Sequence, residues 1–276
     1  MSKYIYFFIL ALFSLVMSDP DQNFYIFLAF GQSNMEGTGP IEGEDIANIP
    51  DRYKMMPAVD QPSKGRVKQN WYTAFPPLCR EENGLGVIDY FGRELVSHLP
   101  EHISVGVIDV AIGGCSIDLF NEDIAQRYIE NSPDWLKNIA ASYGNHPYNV
   151  LIETARKAQE SGVIKGILLH QGESNTGDPN WPNNVKLIYD RLINDLGLDP
   201  NNVPLLLGEV VNADQGGSCA AHNAIIASVP NVIPNSYVIS SSGLPQRGDG
   251  LHFTSPGYRE FGRRYGTKML EILNKN

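Results

Sequence analysis

A buried-strand pattern that ends in a serine turn near the amino terminus constrains the fold more than any other part of the sequence. Residues 24–30, Phe-Tyr-Ile-Phe-Leu-Ala-Phe, are apolar or aromatic throughout, which predicts a strand buried on both faces, as in a parallel sheet. The chain then passes directly into Gly31-Gln32-Ser33-Asn34. A rigid strand fixes the direction of a serine hydroxyl on the turn that follows it, as nucleophilic attack requires. Ser33 is therefore the candidate nucleophile, and the alternative is that it is only a turn residue.

Four more apolar runs, separated by helical patterns, follow along the chain at residues 104–112, 163–169, 203–211 and 236–240. Strands that alternate with helices in this way predict a parallel sheet whose two faces are covered by helices. The sequence therefore predicts an α/β fold: a three-layer α/β/α domain with a five-stranded parallel sheet. A single domain over residues 19–276 suits this length.

Polar segments follow the predicted strands, and in parallel sheets ligands bind at the carboxyl ends of the strands. The segments expected to meet there are Ser33, Gly113-Gly114, Gln171 to Glu173 and Asp249 to His252. His252 is the candidate base for the serine. Asp249, three residues earlier, is placed to orient the imidazole, and Glu173 is a second carboxylate for that role. Each feature is weak alone, since an aspartate often only stabilises a turn.

An oxyanion hole needs donors near the nucleophile. The backbone N–H groups of Ser33 and Gly114 are candidates, since glycine permits a close approach, and the side-chain amide of Gln171 is a third. The nucleophile elbow Gly-x-Ser-x-Gly is not met, because Met35 occupies its last position. This departure argues against the α/β-hydrolase fold.

Four blocks of the sequence resemble those of the SGNH-hydrolase superfamily: Gly31 to Met35, Gly113 to Ser116, His170 to Ser174 and Asp249 to His252. More narrowly, they are similar to carbohydrate esterase family six acetylxylan esterases and sialate O-acetylesterase-like proteins. The resemblance spans residues 24–273. It implies a flavodoxin-like fold, no metal or other cofactor, and serine-based deacetylation of sugars.

The resemblance also implies roles for individual residues. Ser33 would be the nucleophile and His252 the base. Asp249 would be the usual acid, although some members of this branch use the glutamate that corresponds to Glu173. The oxyanion hole would consist of Ser33, Gly114 and Gln171. One departure is Cys115, where a threonine is expected after the glycine pair.

The predicted function is a secreted serine carbohydrate esterase that removes O-acetyl groups from polysaccharide, with acetylxylan as the leading substrate. A sialate O-acetylesterase is the alternative within the same chemistry. Asn34, Trp71 and Trp181 are the candidate substrate-binding residues. Together with Tyr72 and Trp135, the two tryptophans lie in or near the predicted loops at the site. These aromatic side chains would either stack on sugar rings or pack the loops onto the core.

Two other classes of function remain open from the residues. A metal-dependent hydrolase would bind Zn²⁺ through His170, Glu173, Asp249 and His252, but it leaves Ser33 unexplained. A non-catalytic glycan-binding protein on an esterase scaffold would have no need of an intact set of catalytic residues, and none of the proposed positions is missing here.

The amino terminus predicts export. Residues 1–18 combine one lysine with an apolar stretch and end in a small residue, the pattern of a cleaved secretory signal peptide. The apolar stretch is short for a membrane span, and an uncleaved anchor is the alternative. The net charge of −10 disfavours nucleic acid and anionic membrane surfaces as partners. An acetylated polysaccharide or sugar is the expected partner.

Overall fold

The computed structural model describes residues 19–275, and the predicted signal peptide lies outside them. Within this part of the chain, one mixed sheet has the strand order β3-β2-β4-β1-β5-β6-β7. The strands are β1 (Asp21–Gly31), β2 (Tyr53–Met55), β3 (Tyr72–Thr73), β4 (Ser104–Ala111), β5 (Gly162–His170), β6 (Leu205–Gly208) and β7 (Ser236–Ile239). The predicted α/β class is confirmed.

Helices cover both faces of the sheet. They are α1 (Ser33–Glu36), α2 (Gly43–Ile46), α3 (Val87–His98), α4 (Glu122–Glu130), α5 (Asp134–Ser142), α6 (Pro147–Gln159), α7 (Trp181–Asp195), α8 (Asn223–Ile226) and α9 (Ser255–Leu273). Among the described residues, no helix has both the length and the apolar character that crossing a membrane requires.

The predicted strand count of five was too low. The five predicted strands correspond to β1, β4, β5, β6 and β7, and β2 and β3 extend the sheet beyond β4. β2 runs parallel to β4, and β3 is antiparallel to β2. Strands of three and two residues are too short for a period of two to be recognised. The pairings of β2 with β4 and of β3 with β2 are tertiary contacts.

The central strand β1 places the serine turn between its two neighbours. It pairs in parallel with β4 on one side and β5 on the other, and Gly31 is in register with both Ala111 and His170. The loops after these three strands therefore start at the same level. This is the point where the order of the sheet reverses direction, the usual ligand site of such folds.

Alternate residues of β1 belong to two separate cores. Ile26, Leu28 and Phe30 are buried in the core that includes residues of α6 and α7. Phe27 and Ala29 are buried in the core on the other face, which includes residues of α3 and α9. Because both faces are buried, β1 is apolar throughout, as its sequence indicated.

Candidate active site

Ser33 lies immediately beyond the carboxyl end of β1, where it begins the short helix α1. The turn requires glycine at position 31, because an added Cβ would lie 2.1 Å from the carbonyl oxygen of His170. Ser33 is largely buried, with 8% of its surface exposed. Its Oγ lies 2.9 Å from Nε2 of His252, a hydrogen bond between residues 219 positions apart.

Asp249 orients His252 from the same loop. Its Oδ2 lies 2.7 Å from Nδ1 of His252. Because an ionised carboxylate only accepts hydrogen bonds, Nδ1 carries the proton and Nε2 is left to accept the proton of Ser33. The other oxygen, Oδ1, accepts the backbone N–H groups of Leu251 at 2.9 Å and His252 at 2.8 Å. These contacts fix both the carboxylate and the ring.

The carboxyl group of Asp249 is held in its charged form. Burial raises its pKa, but hydrogen bonds from His252, Leu251 and Arg247 outweigh this and hold the pKa well below its usual range. The guanidinium Nε of Arg247 donates to Oδ2 at 3.1 Å. Arg247 also donates through Nη1 to the carbonyl oxygen of Thr38 at 3.2 Å. Arg247 was not identified from the sequence as a residue of the site.

Glu173 lies at the same cleft but does not bond to His252. Its Oε1 accepts a hydrogen bond of 2.6 Å from the side-chain amide of Asn34. Its Oε2 is buried and has no hydrogen-bond partner among the described residues. Of the two carboxylates that the sequence offered as the orienting acid, the structure therefore brings Asp249, and not Glu173, to the imidazole.

Asn34 was predicted to bind substrate, and its position does not agree with that role. The side chain is fully buried. Besides its bond to Glu173, Nδ2 donates to the carbonyl oxygen of Leu251 at 2.9 Å, and Oδ1 accepts the hydroxyl of Tyr258 at 2.7 Å. Its polar atoms are all engaged within the protein. Asn34 instead ties the serine turn to the loop that carries His252.

The glycine turn after β4 lies beside Ser33. An ideal Cβ on Gly113 would lie 3.5 Å from the Cβ of Ser33. Gly114 has φ of +71°, a conformation that favours glycine. Within residues 19–275, the N–H groups of Ser33 and Gly114 donate to no protein acceptor. Both residues line the cleft, so these two donors remain candidates for an oxyanion hole.

The side chain of Gln171 is not placed to be the third oxyanion donor. Its Nε2 lies 2.7 Å from Oδ1 of Asn175 and 3.1 Å from the carbonyl oxygen of Cys115. Its Oε1 accepts the indole N–H of Trp181 at 2.5 Å. Because an indole N–H only donates, this contact fixes which end of the amide is oxygen. Gln171 therefore supports the turn after β4 from inside.

The two tryptophans predicted to bind substrate both lie elsewhere. Trp181 is fully buried under Gln171. Trp71 packs edge-on against Phe24, with ring centroids 4.7 Å apart, and against Gly106. Phe24 and Gly106 are near the amino ends of β1 and β4, whereas the serine turn is at the carboxyl ends. The sequence alone does not show whether a tryptophan near the site packs into the core or faces a ligand, because that depends on tertiary packing.

An open cleft of about 520 Å³ lies over the serine, and its lining includes Ser33, Gly114, Trp135, Ile139, Glu173 and His252. Trp135 is the tryptophan that faces the cleft, with 51% of its surface exposed. Cys219 also lines it. All three cysteines of the chain, Cys79, Cys115 and Cys219, are free.

The model of the family described as "SASA: Carbohydrate esterase, sialic acid-specific acetylesterase" matches residues 23–271. The chain belongs to this family. It is thus a hydrolase of the carbohydrate esterases, and the resemblance to an SGNH-like carbohydrate esterase is confirmed at that level. The match does not single out the family six acetylxylan esterases.

A probable carbohydrate esterase of Arabidopsis thaliana, At4g34215, is 25% identical to this family member over 248 residues, which is 86% of each chain. Its crystal structure superposes with a TM-score of 0.66 at 19% identity, over 90% of this chain and 98% of that one. The crystal structure of NanS superposes with a TM-score of 0.63 at 17% identity, over 94% of this chain and 100% of that one. The structure of XAC1771, a carbohydrate acetylesterase of Xanthomonas citri, superposes with a TM-score of 0.63 at 18% identity, over 91% of this chain and 56% of that one. These structures share the fold of this esterase.

The residues of the metal alternative do not converge in this carbohydrate esterase. His252 directs Nδ1 at Asp249 and Nε2 at Ser33. His170 is buried, and its Nε2 donates to the carbonyl oxygen of Glu209 at 3.0 Å. Burial lowers the pKa of His170. Within the described part of the chain, no three His, Cys, Asp or Glu side chains form a group that could hold a metal ion.

Proposed function

We propose that this protein is a serine carbohydrate esterase that hydrolyses O-acetyl esters of sugars through an acyl-enzyme on Ser33. The observation that carries the proposal is the chain of hydrogen bonds from Asp249 through His252 to Ser33, of 2.7 Å and 2.9 Å. A serine hydroxyl is a weak nucleophile until a base takes its proton, and this arrangement supplies an oriented base.

The chemistry follows from these contacts. Nε2 of His252 takes the proton of Ser33 as Oγ attacks the carbonyl carbon of the acetyl group. The N–H groups of Ser33 and Gly114 stabilise the negative charge on the former carbonyl oxygen. The imidazolium, stabilised by Asp249, returns the proton to the departing sugar oxygen. Water, deprotonated by His252 in the same way, then releases acetate and restores Ser33.

The substrate that we propose is an acetylated polysaccharide outside the cell, with acetylxylan first. Family membership and the similarity to carbohydrate acetylesterases support the sugar ester, and the amino-terminal sequence pattern supports secretion. A sialate O-acetylesterase is the second candidate, because the description of the matching family names sialic acid.

The decisive experiment measures acetate release from acetylated xylan and from acetylated sialic acid by the wild type and by Ser33→Ala. We expect the substitution to lower kcat by about 10³-fold or more. Ser97→Ala, at an exposed position on α3, is the matched control and should retain wild-type activity. A serine-directed phosphonate should label the wild type and not Ser33→Ala. Wild-type turnover by a folded Ser33→Ala variant would refute the assignment.

A further inference from the structure

Trp135 forms one wall of the cleft directly beside the candidate oxyanion donor Gly114. An ideal Cβ on Gly114 would lie 2.5 Å from the six-membered ring of Trp135. Glycine at this position therefore lets the indole approach the turn closely. Ile139, one helical turn later on α5, lines the same wall. The result is an apolar surface next to the point where the scissile ester would lie.

The exposure of Trp135 is not explained by core packing. Trp71 and Trp181, the other two tryptophans, pack against other residues of the protein away from the cleft, whereas Trp135 is 51% exposed. Exposed apolar surface in a cleft is a common mark of a binding site. An indole offers a large rigid face at little cost in conformational entropy, and the C–H face of a pyranose ring is a suitable partner for it.

The charge of a second cleft residue adds a second observation. Glu173 lines the cleft with a side chain that is only 6% exposed. His170 lies near it, with Nδ1 3.8 Å from Oε1, and burial lowers the pKa of this histidine. The guanidinium of Arg247 is already bonded to Asp249 and to Thr38. A ligand carboxylate entering the cleft would therefore meet a carboxylate while it lost its own hydration.

We propose that the cleft binds an electrically neutral pyranose stacked on Trp135, with its acetyl ester over Ser33, and discriminates against sugars that carry a carboxylate. This inference rests on the proposed esterase function. It names Trp135 as a residue that determines specificity, and it places sialic acids among the poor substrates.

The stacking part is tested with Trp135→Ala and Trp135→Phe. The readout is the ratio of kcat/KM for an acetylated methyl xylopyranoside to kcat/KM for ethyl acetate, which has no ring to stack. We expect Trp135→Ala to lower this ratio by about tenfold and Trp135→Phe by less than about threefold. Phe75→Ala is the matched control, since Phe75 is 43% exposed and lies outside the cleft. An unchanged ratio in Trp135→Ala, including one that results from an equal fall for both esters, would overturn the role of Trp135.

The charge part is tested with one sugar in two forms, O-acetylated sialic acid and its carboxylate methyl ester. We expect the wild type to hydrolyse the methyl ester at least about tenfold faster, with a gap that narrows as salt is added. Glu173→Gln should narrow the gap, and the exposed control Glu153→Gln should not. Equal or faster hydrolysis of the free acid would overturn the proposal. An enzyme inactive on every ester, ethyl acetate included, would instead refute the proposed function itself.

Discussion

The side-chain amide of Asn34 donates a 2.6 Å hydrogen bond to the carboxylate of Glu173. The two carboxylates therefore have different partners: Glu173 is bonded to Asn34, the residue after Ser33, and Asp249 is bonded to His252. The same amide holds the carbonyl oxygen of Leu251, the residue before His252. Asn34 thus connects the turn that carries Ser33 to the loop that carries His252 and to Glu173.

We expect Asp249→Asn to lower kcat for acetate release by about 10²- to 10⁴-fold, because the neutral amide no longer stabilises the imidazolium. Glu173→Gln keeps an oxygen for Asn34, and we expect a loss below about tenfold on a neutral ester. Steady-state kinetics on one acetylated xyloside measures both variants. A larger loss in Glu173→Gln than in Asp249→Asn would reverse the assignment.

We expect Asn34→Ala to act through position and not through contact with substrate. It removes three hydrogen bonds of a fully buried side chain and releases the loop that holds His252. A displacement of about 1 Å at the base costs on the order of 10²-fold in kcat, with little change in KM. Tyr258→Phe, which removes one of these bonds, is the graded control and should lose less.

Reactivity of Ser33 with a phosphonate gives Asn34→Ala a second readout, because it depends on the serine–histidine geometry and not on sugar binding. We expect the rate of labelling to fall in parallel with kcat. A rise in KM at constant kcat would instead return Asn34 to the substrate-binding role that its sequence suggested.

The pH profile of kcat/KM should show the effect of a single protonation below its optimum. Burial raises the pKa of Asp249, but its hydrogen bonds hold that pKa well below the usual range, so the carboxylate stays ionised in mild acid. Only a neutral His252 can accept the serine proton. We therefore expect log kcat/KM on an acetylated xyloside to fall with a slope of one as the pH decreases. A slope of two, or a flat profile from acid to neutral, would contradict this assignment.

The lowered pKa of Asp249 also has a consequence for stability. Its contribution is fully present above the ordinary aspartate pKa and is lost as the pH falls through the lower pKa of the folded state. Thermal unfolding near neutral pH should therefore show Asp249→Asn to be less stable than the wild type. That difference should disappear only in strong acid, and a difference that grows on acidification would contradict the sign.

Local patterns in the sequence were enough to place the main elements. The apolar run before Ser33 predicted β1, and the parallel order placed four loops at one edge of the sheet. The Asp249–His252 pair could also be predicted, because the two residues are three positions apart in a glycine-containing turn and their contact is local. These features depend on neighbours in the chain.

The tertiary structure alone decided which polar side chains face the cleft. Asn34 and Glu173 are 139 positions apart, and nothing in either segment indicates that they bond to each other. The sequence suggested Gln171 as an oxyanion donor, whereas in the structure its amide is hydrogen-bonded to Trp181 and Asn175. Trp135 and Trp181 differ in the protein only because one helix packs its indole inward and the other leaves it beside Gly114. The sequence determined the strands and the turn that carries Ser33, whereas long-range packing assigned the side chains their partners, because a polar group pairs with whatever the fold brings within about 3 Å.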